Sequence, residues 1–304
     1  MQRQKQKFRN TLIALIVLIA AVCVLWFAVP NGDRNVEQAT ASGGGGGSGG
    51  GAGGGEDMVQ TENSGTDPGA EADPGVEMPW FYNAALAERY EAFAAESPWL
   101  SFDDVIWMVN VGLDKPPFED IRDVADPLSI TTLVTKQFKL PADFSPPDLV
   151  PIGKSMMREQ AASAMNDMIA AASKEGHSLW VQSGYRSYDT QAGIYSSNVA
   201  RDGSDLTDTY SARAGHSEHQ LGLAADFNSI TAAFGDTPEG IWAVENCWRY
   251  GFIVRYTQEN TDITLYKSEP WHMRYVGRDA AGAIVDRGIL SFEEYWVKYV
   301  NSGF

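Results

Sequence analysis

Cysteine, histidine and basic residues are all scarce in this chain, and each scarcity excludes something. Two cysteines occur among 304 residues, and Cys23 falls inside an apolar run near the N-terminus, leaving Cys247 alone in the remainder. No disulfide can close within the globular part, so its stability must come from a packed core. About 225 residues suffice for one. Lysine and arginine number 23 against 40 acids, for a formal net charge of −17. Residues 1–30 carry +4, residues 31–79 carry −8 and the remainder carries −13. A globule this acidic is a poor match for nucleic acid, whose phosphates require clustered Lys and Arg. Only four histidines are present, at 177, 216, 219 and 272.

Charge is absent altogether from Leu12 to Val29, a run of 18 apolar residues preceded by Arg3, Lys5, Lys7 and Arg9. As a helix it spans about 27 Å, close to the roughly 30 Å of a bilayer core. The basic flank predicts a cytoplasmic tail (1–10), a transmembrane helix (11–30) and everything after it outside the membrane. A cleaved signal peptide is the competing reading, because Ala39-Thr-Ala41 resembles a cleavage site. Lipid attachment at Cys23 is disfavoured because Val24 to Val29 continue the apolar run. Residues 31–79 are glycine-rich and acidic with few apolar side chains. Such a segment cannot offset its ordering entropy, so it predicts a flexible tether with a reach of about 40 Å. The globular domain is then 80–304.

Within that domain the patterning predicts alternating short strands and helices. Asn83 to Glu96 has helical periodicity, and Ser101 is placed to cap a second helix through Val109. Thr131 to Thr135 reads as a strand, Leu140 to Pro151 as irregular, and Lys154 to Lys174 as a long helix closed by Gly176. Ser178 to Gln182 predicts a strand, with Arg186 just past its end, and Ser187 to Val199 a helix. Leu221 to Phe227 alternates as a strand that would set Gly222, Ala224 and Asp226 on one face. Thr237-Pro238 starts a helix that Gly251 stops. Phe252 to Tyr256, Ile263 to Tyr266 and His272 to Val276 predict strands, and Ser291 with Glu294 a capped final helix.

The chemistry concentrates in two short stretches, Ser217-Glu-His-Gln-Leu-Gly-Leu-Ala-Ala-Asp226 and Glu269-Pro-Trp-His272. His219, Asp226 and His272 are three zinc ligands of the right type, and three leave a coordination position open for chemistry. Glu269 is a carboxylate able to take a proton from water. It stands three residues from His272, on the opposite face of a straight strand, but Pro270 allows a bend that brings the two together. His177 reads as a turn residue and His216 as a loop residue lining the cleft. Ser217 is either a turn hydroxyl or a substrate contact.

Ser-x-His-x-x-Gly-x-Ala-x-Asp followed by Glu-x-Trp-His resembles the signature of the VanY-type D-alanyl-D-alanine carboxypeptidases, zinc peptidases of bacterial cell walls. Ser183-Gly-Tyr-Arg-Ser-Tyr-Asp-Thr-Gln191 resembles the segment that carries the family's substrate-facing arginine. The similarity extends to Val109–Asp114 and Arg249–Tyr256, and covers roughly 80–300. Ala214 stands where the family usually has proline, and Leu265 where related members often have glycine.

The resemblance implies an α+β fold: a single zinc-peptidase domain with a small, mostly antiparallel sheet flanked by helices. It implies one Zn2+ per chain on His219, Asp226 and His272, with Glu269 and Arg186 catalytic and Ser217, Arg186 and Gln191 binding substrate. The expected substrate is the peptidoglycan stem peptide, cleaved at its C-terminal D-alanine by a membrane-anchored, extracellular and monomeric enzyme. An L,D-carboxypeptidase that trims tetrapeptide stems is the alternative. An endopeptidase that cuts inside the stem is less favoured, and so is a non-catalytic wall-binding module, which would be expected to lose a ligand or the base, whereas none is missing here.

Overall fold

The computed structural model describes residues 78–301. The expected cytoplasmic tail and transmembrane helix, and all of the tether but residues 78 and 79, lie outside them. Among the described residues no helix is long and apolar enough to cross a membrane.

In chain order the principal elements are α1 (Ala87–Glu96), α2 (Phe102–Asn110), β1 (Arg122–Asp123), β2 (Phe138–Lys139), β3 (Leu149–Ile152), β4 (Ser155–Arg158) and α3 (Glu159–Lys174). There follow β5 (Val181–Ser183), α4 (Tyr188–Asp202), β6 (Ala224–Phe227), α5 (Pro238–Asn246), β7 (Phe252–Val254), β8 (His272–Tyr275) and α6 (Arg278–Asp286). Side-chain caps start helices where the sequence places them. The hydroxyls of Ser101, Ser187 and Thr237 accept from the backbone N–H groups of Asp104, Thr190 and Gly240. Ser291 likewise accepts from Glu294 to start the short turn Phe292–Tyr295.

The four-stranded sheet runs β5-β6-β8-β7, antiparallel throughout. Two smaller pairs accompany it, β1 with β2 in parallel and β3 with β4 as an antiparallel hairpin. The expected α+β architecture with a small, mostly antiparallel sheet is therefore present. Ala161, Ala162, Met165, Met168 and Ala172 of α3 pack with Ala225, Phe227 and Met273 of the sheet in one core cluster. A second cluster gathers Val105, Ile106 and Val109 of α2 with Ala280, Ala281 and Ile284 of α6 and with Phe292.

Four local expectations need correction. The strand expected over Thr131–Thr135 is turn and extended coil, in which the Thr135 hydroxyl accepts from the Gln137 and Phe138 N–H groups. Local side-chain acceptors of this kind replace ladder bonds. Ile263–Tyr266 is not a strand either. Thr261–Thr264 is a helical turn whose threonine hydroxyls donate to the Thr257 and Asn260 carbonyls. Leu265 ends it at φ 60°, the left-handed conformation that glycine adopts most cheaply. The helix expected from Lys154 begins at Glu159, because Ser155–Arg158 pairs with Leu149–Ile152 across a two-residue turn at Gly153 and Lys154. The strand expected from Leu221 begins at Ala224, since Leu221 closes a 3-10 turn over Glu218–Leu221.

Candidate metal centre and cleft

Asp226 and His272 lie directly opposite each other on adjacent antiparallel strands, with Asp226 paired to His272, Ala225 to Met273 and Ala224 to Arg274. That register joins the two motif halves, since directly opposed residues place their Cβ atoms about 5 Å apart. His219 is brought in locally. It sits in the 3-10 turn Glu218–Leu221, and Gly222 at φ 67° redirects the chain from that turn toward β6.

His219 Nε2 lies 3.4 Å from Asp226 Oδ2, and His272 Nδ1 lies 3.2 Å from Asp226 Oδ1. One ligand atom from each residue falls within 4.8 Å of the others, and all three residues are buried. Donors around a tetrahedral zinc stand about 3.3 Å apart, so the spacing suits that ion. Asp226 Oδ1 is buried without a hydrogen bond among the described residues, despite the nearby imidazole. An unsatisfied buried carboxylate oxygen is costly, and a cation removes the cost.

Each imidazole is oriented by its other nitrogen. His219 Nδ1 is 2.7 Å from the Gly184 carbonyl oxygen, which leaves Nε2 toward Asp226. Gly184 can only be glycine here, because a Cβ would fall 2.4 Å from the Met156 carbonyl oxygen. His272 Nε2 lies 3.4 Å from Glu218 Oε2, which leaves Nδ1 toward Asp226. Burial lowers the His219 pKa and favours the neutral imidazole a metal needs. Burial alone would lower His272 too, yet the Asp226 and Glu218 carboxylates beside its two ring nitrogens raise it to about 9, so the pocket favours positive charge at that point. Burial also opposes ionisation of Asp226, but His219 and His272 hold its carboxyl well below the usual range.

Glu269 precedes β8, and its Oε2 lies 3.8 Å from His272 Nδ1. The bend is visible in the backbone, where the His272 N–H donates to the Glu269 carbonyl across Pro270 and Trp271. Burial lifts the Glu269 carboxyl to about 7, with His272 opposing and Asp226 reinforcing the rise. Arg186 Nη2 lies 3.7 Å from Asp226 Oδ2 and 3.1 Å from the Ser183 hydroxyl, while Nη1 donates to Gln191 Oε1 at 2.6 Å. Burial lowers the Arg186 pKa, and Asp226 and Glu269 oppose the shift.

These residues share a cleft of about 660 Å³, whose walls also include Ser217, Tyr256, Tyr266 and Trp271. The structure thus gathers His219, Asp226, His272, Glu269, Arg186, Ser217 and Gln191 in one place. Gln191 is buried rather than solvent-facing, held between Arg186 and the Ala212 carbonyl. His216 does not line the cleft as expected. Its Nδ1 bonds the Thr135 carbonyl at 2.8 Å and its ring packs edge-on against Phe118. Sequence reasoning missed Glu218 and the two tyrosines. Glu218 stood inside the motif, but its partners Arg255 and Arg274 lie 37 and 56 residues away.

A buried His/Asp/His cluster that could hold a metal ion, with a carboxylate and a guanidinium at its edge, thus lies on a small antiparallel sheet. Residues 154–278 match the VanY family, described as D-alanyl-D-alanine carboxypeptidase. Putative carboxypeptidase YodJ of Bacillus subtilis (strain 168) is 41% identical over 208 residues, covering 61% of this chain and 76% of the relative. D-alanyl-D-alanine carboxypeptidase of Enterococcus faecium is 36% identical over 140 residues, but the match spans only 43% of that protein and 46% of this chain. The LdcB LD-carboxypeptidase structure superposes with a TM-score of 0.56 at 40% identity, covering 59% of this chain and 91% of the other. The chain belongs to the VanY carboxypeptidase family.

Proposed function

We propose that the chain is a zinc carboxypeptidase that releases the C-terminal D-alanine from peptidoglycan stem peptides. The observation that carries this reading is the three-donor cluster with Glu269 3.8 Å from one donor and Arg186 3.7 Å from another, within one cleft. His219, Asp226 and His272 would hold the ion, which when bound supplies Lewis acidity and makes water nucleophilic near neutral pH. Glu269 accepts the proton of the attacking water and returns it to the leaving amine. Arg186, fixed by Ser183 and Gln191, faces the developing oxyanion or the substrate's terminal carboxylate. Ser217 supplies a hydroxyl to the same cleft.

The family description and the enterococcal relative favour the D,D bond of a pentapeptide stem. The likeness to LdcB, which covers more of its partner, favours the L,D bond of a tetrapeptide. Mass spectrometry of pentapeptide and tetrapeptide stems after incubation with the protein separates the two. Loss of one alanine from the pentapeptide alone supports D,D cleavage, loss from the tetrapeptide alone supports L,D cleavage, and an unchanged pair sinks both. Amidating the peptide's C-terminus should lower kcat/KM about 30- to 150-fold, the loss of one charge-assisted contact. Equal cleavage of free and amidated peptides would indicate an endopeptidase.

The apolar run at 12–29 and its basic flank support a membrane-anchored enzyme with its domain outside the cell, carried on the tether 31–79. Membrane fractionation with protease added to intact cells tests this. A mature N-terminus at Ser42 would overturn the anchor.

A further inference from the structure

Four deeply buried charges, Glu218, Arg255, Arg274 and Glu293, form a chain that ends on the candidate metal centre. The side chains of Glu218 and Arg274 are 0% exposed and that of Arg255 is 1% exposed. Glu218 Oε1 accepts from Arg255 Nε at 2.9 Å and from Arg274 Nη1 at 3.0 Å. Arg255 also donates to both oxygens of Glu293, at 2.7 and 3.2 Å. Arg274 also donates to the carbonyls of Tyr275, Ile130 and Thr132. Two carboxylates and two guanidiniums balance, and both arginines are bonded on every side.

A buried ion network is weak evidence of a stabilising role. Well-packed apolar residues commonly replace a buried ion network at no cost, or with a gain. One atom of the network points elsewhere: Glu218 Oε2 faces His272 Nε2 at 3.4 Å, while His272 Nδ1 faces Asp226. We propose that Glu218 is a positioning residue, whose buried carboxylate holds the proton of His272 on Nε2 and so presents Nδ1 to the metal. This rests on reading His219, Asp226 and His272 as the ligands. The arginines fix Glu218 from two directions, through the strand of His272 itself and through the C-terminal turn that carries Glu293. The two ligand histidines then present opposite nitrogens, His219 steered by the Gly184 carbonyl and His272 by a carboxylate. Carboxylate–histidine–metal arrangements of this kind raise ligand basicity and fix ring orientation.

The test compares zinc affinity, by competition with a chromophoric chelator, with thermal stability in full-length wild type, Glu218→Gln and Glu293→Gln. Glu218→Gln should weaken zinc binding about 10- to 100-fold. Glu293→Gln disturbs the same network without touching His272, and should lower Tm while zinc affinity stays at the wild-type value. If Glu218→Gln bound zinc as wild type does, with only a Tm penalty like that of Glu293→Gln, the proposal would be overturned. Nitrogen-15 NMR of the zinc-loaded wild type, labelled at its four histidines, decides the matter even if a variant does not fold. His272 should show a protonated Nε2 and a metal-bound Nδ1, and the reverse tautomer would refute the role of Glu218. A wild type that bound no zinc would instead defeat the metal-site reading, and this proposal with it.

Discussion

The Gln191 side chain is clamped at both ends, accepting from Arg186 Nη1 at 2.6 Å and donating to the Ala212 carbonyl at 2.6 Å. The amide therefore fixes the direction of the guanidinium that faces Asp226. Gln191→Ala should leave zinc content unchanged and lower kcat/KM about 10- to 100-fold, the scale of one hydrogen bond to a charged group. Full activity in this variant would mean that Arg186 needs no such support.

Replacing His219 or His272 by alanine should abolish zinc binding and turnover together, since each supplies one of three donors. Asp226→Ala should do the same with some residual metal. Metal analysis after dialysis, with peptide hydrolysis on the same samples, checks this. A His219→Ala protein with stoichiometric zinc and full turnover would show that the ligand set is wrong.

Glu269→Gln separates proton transfer from metal holding. It keeps the side chain's size but cannot accept a proton, so zinc should remain while kcat falls at least about 100-fold. A zinc-free variant would place Glu269 among the ligands, and an active one would remove it from the mechanism.

Lys136 gives the fold a pH dependence of its own. Its ammonium is buried over the Tyr266 ring at 3.8 Å, and it donates to the Asp208 carbonyl. Burial depresses its pKa from 10.5 to about 8, with Asp208 opposing and Arg213 adding to the shift. Between those values the unfolded chain binds more protons than the native one, so stability rises with pH. The penalty is present in full below pH 8 and is relieved toward pH 10.5, by at most about 3 kcal/mol. Lys136→Met should be less sensitive to pH over that window in denaturant titrations. Parallel curves for the two proteins would show that the ammonium is better solvated than its surroundings suggest.

Much of this molecule was legible in its sequence because the relevant signals are local. Ser101, Ser187 and Thr237 cap helices through bonds three residues long, and Gly251 stops one at φ 84°. The same locality misled where threonine hydroxyls compete with the backbone, at Thr135 and Thr264. The hairpin at Gly153 was missed because Ser155–Arg158 adjoins a long Met/Ala helix with a similar composition. Its turn glycine at φ 59° was the available signal.

For the candidate site, the sequence alone determined the inventory: two histidines, an aspartate, a glutamate and an arginine, in motifs whose spacing suits a metal. Only the tertiary structure decided how they meet. Pairing of β6 with β8 sets Asp226 opposite His272, 46 positions apart, and no local rule encodes a strand register of that span. Which nitrogen each imidazole offers depends on Gly184 and Glu218. Glu218 in turn depends on two distant arginines, Arg274 on β8 and Arg255 just past the end of β7. Residue types and short spacings are covalent properties of the chain, whereas proton placement and donor direction arise only when distant segments are packed out of water.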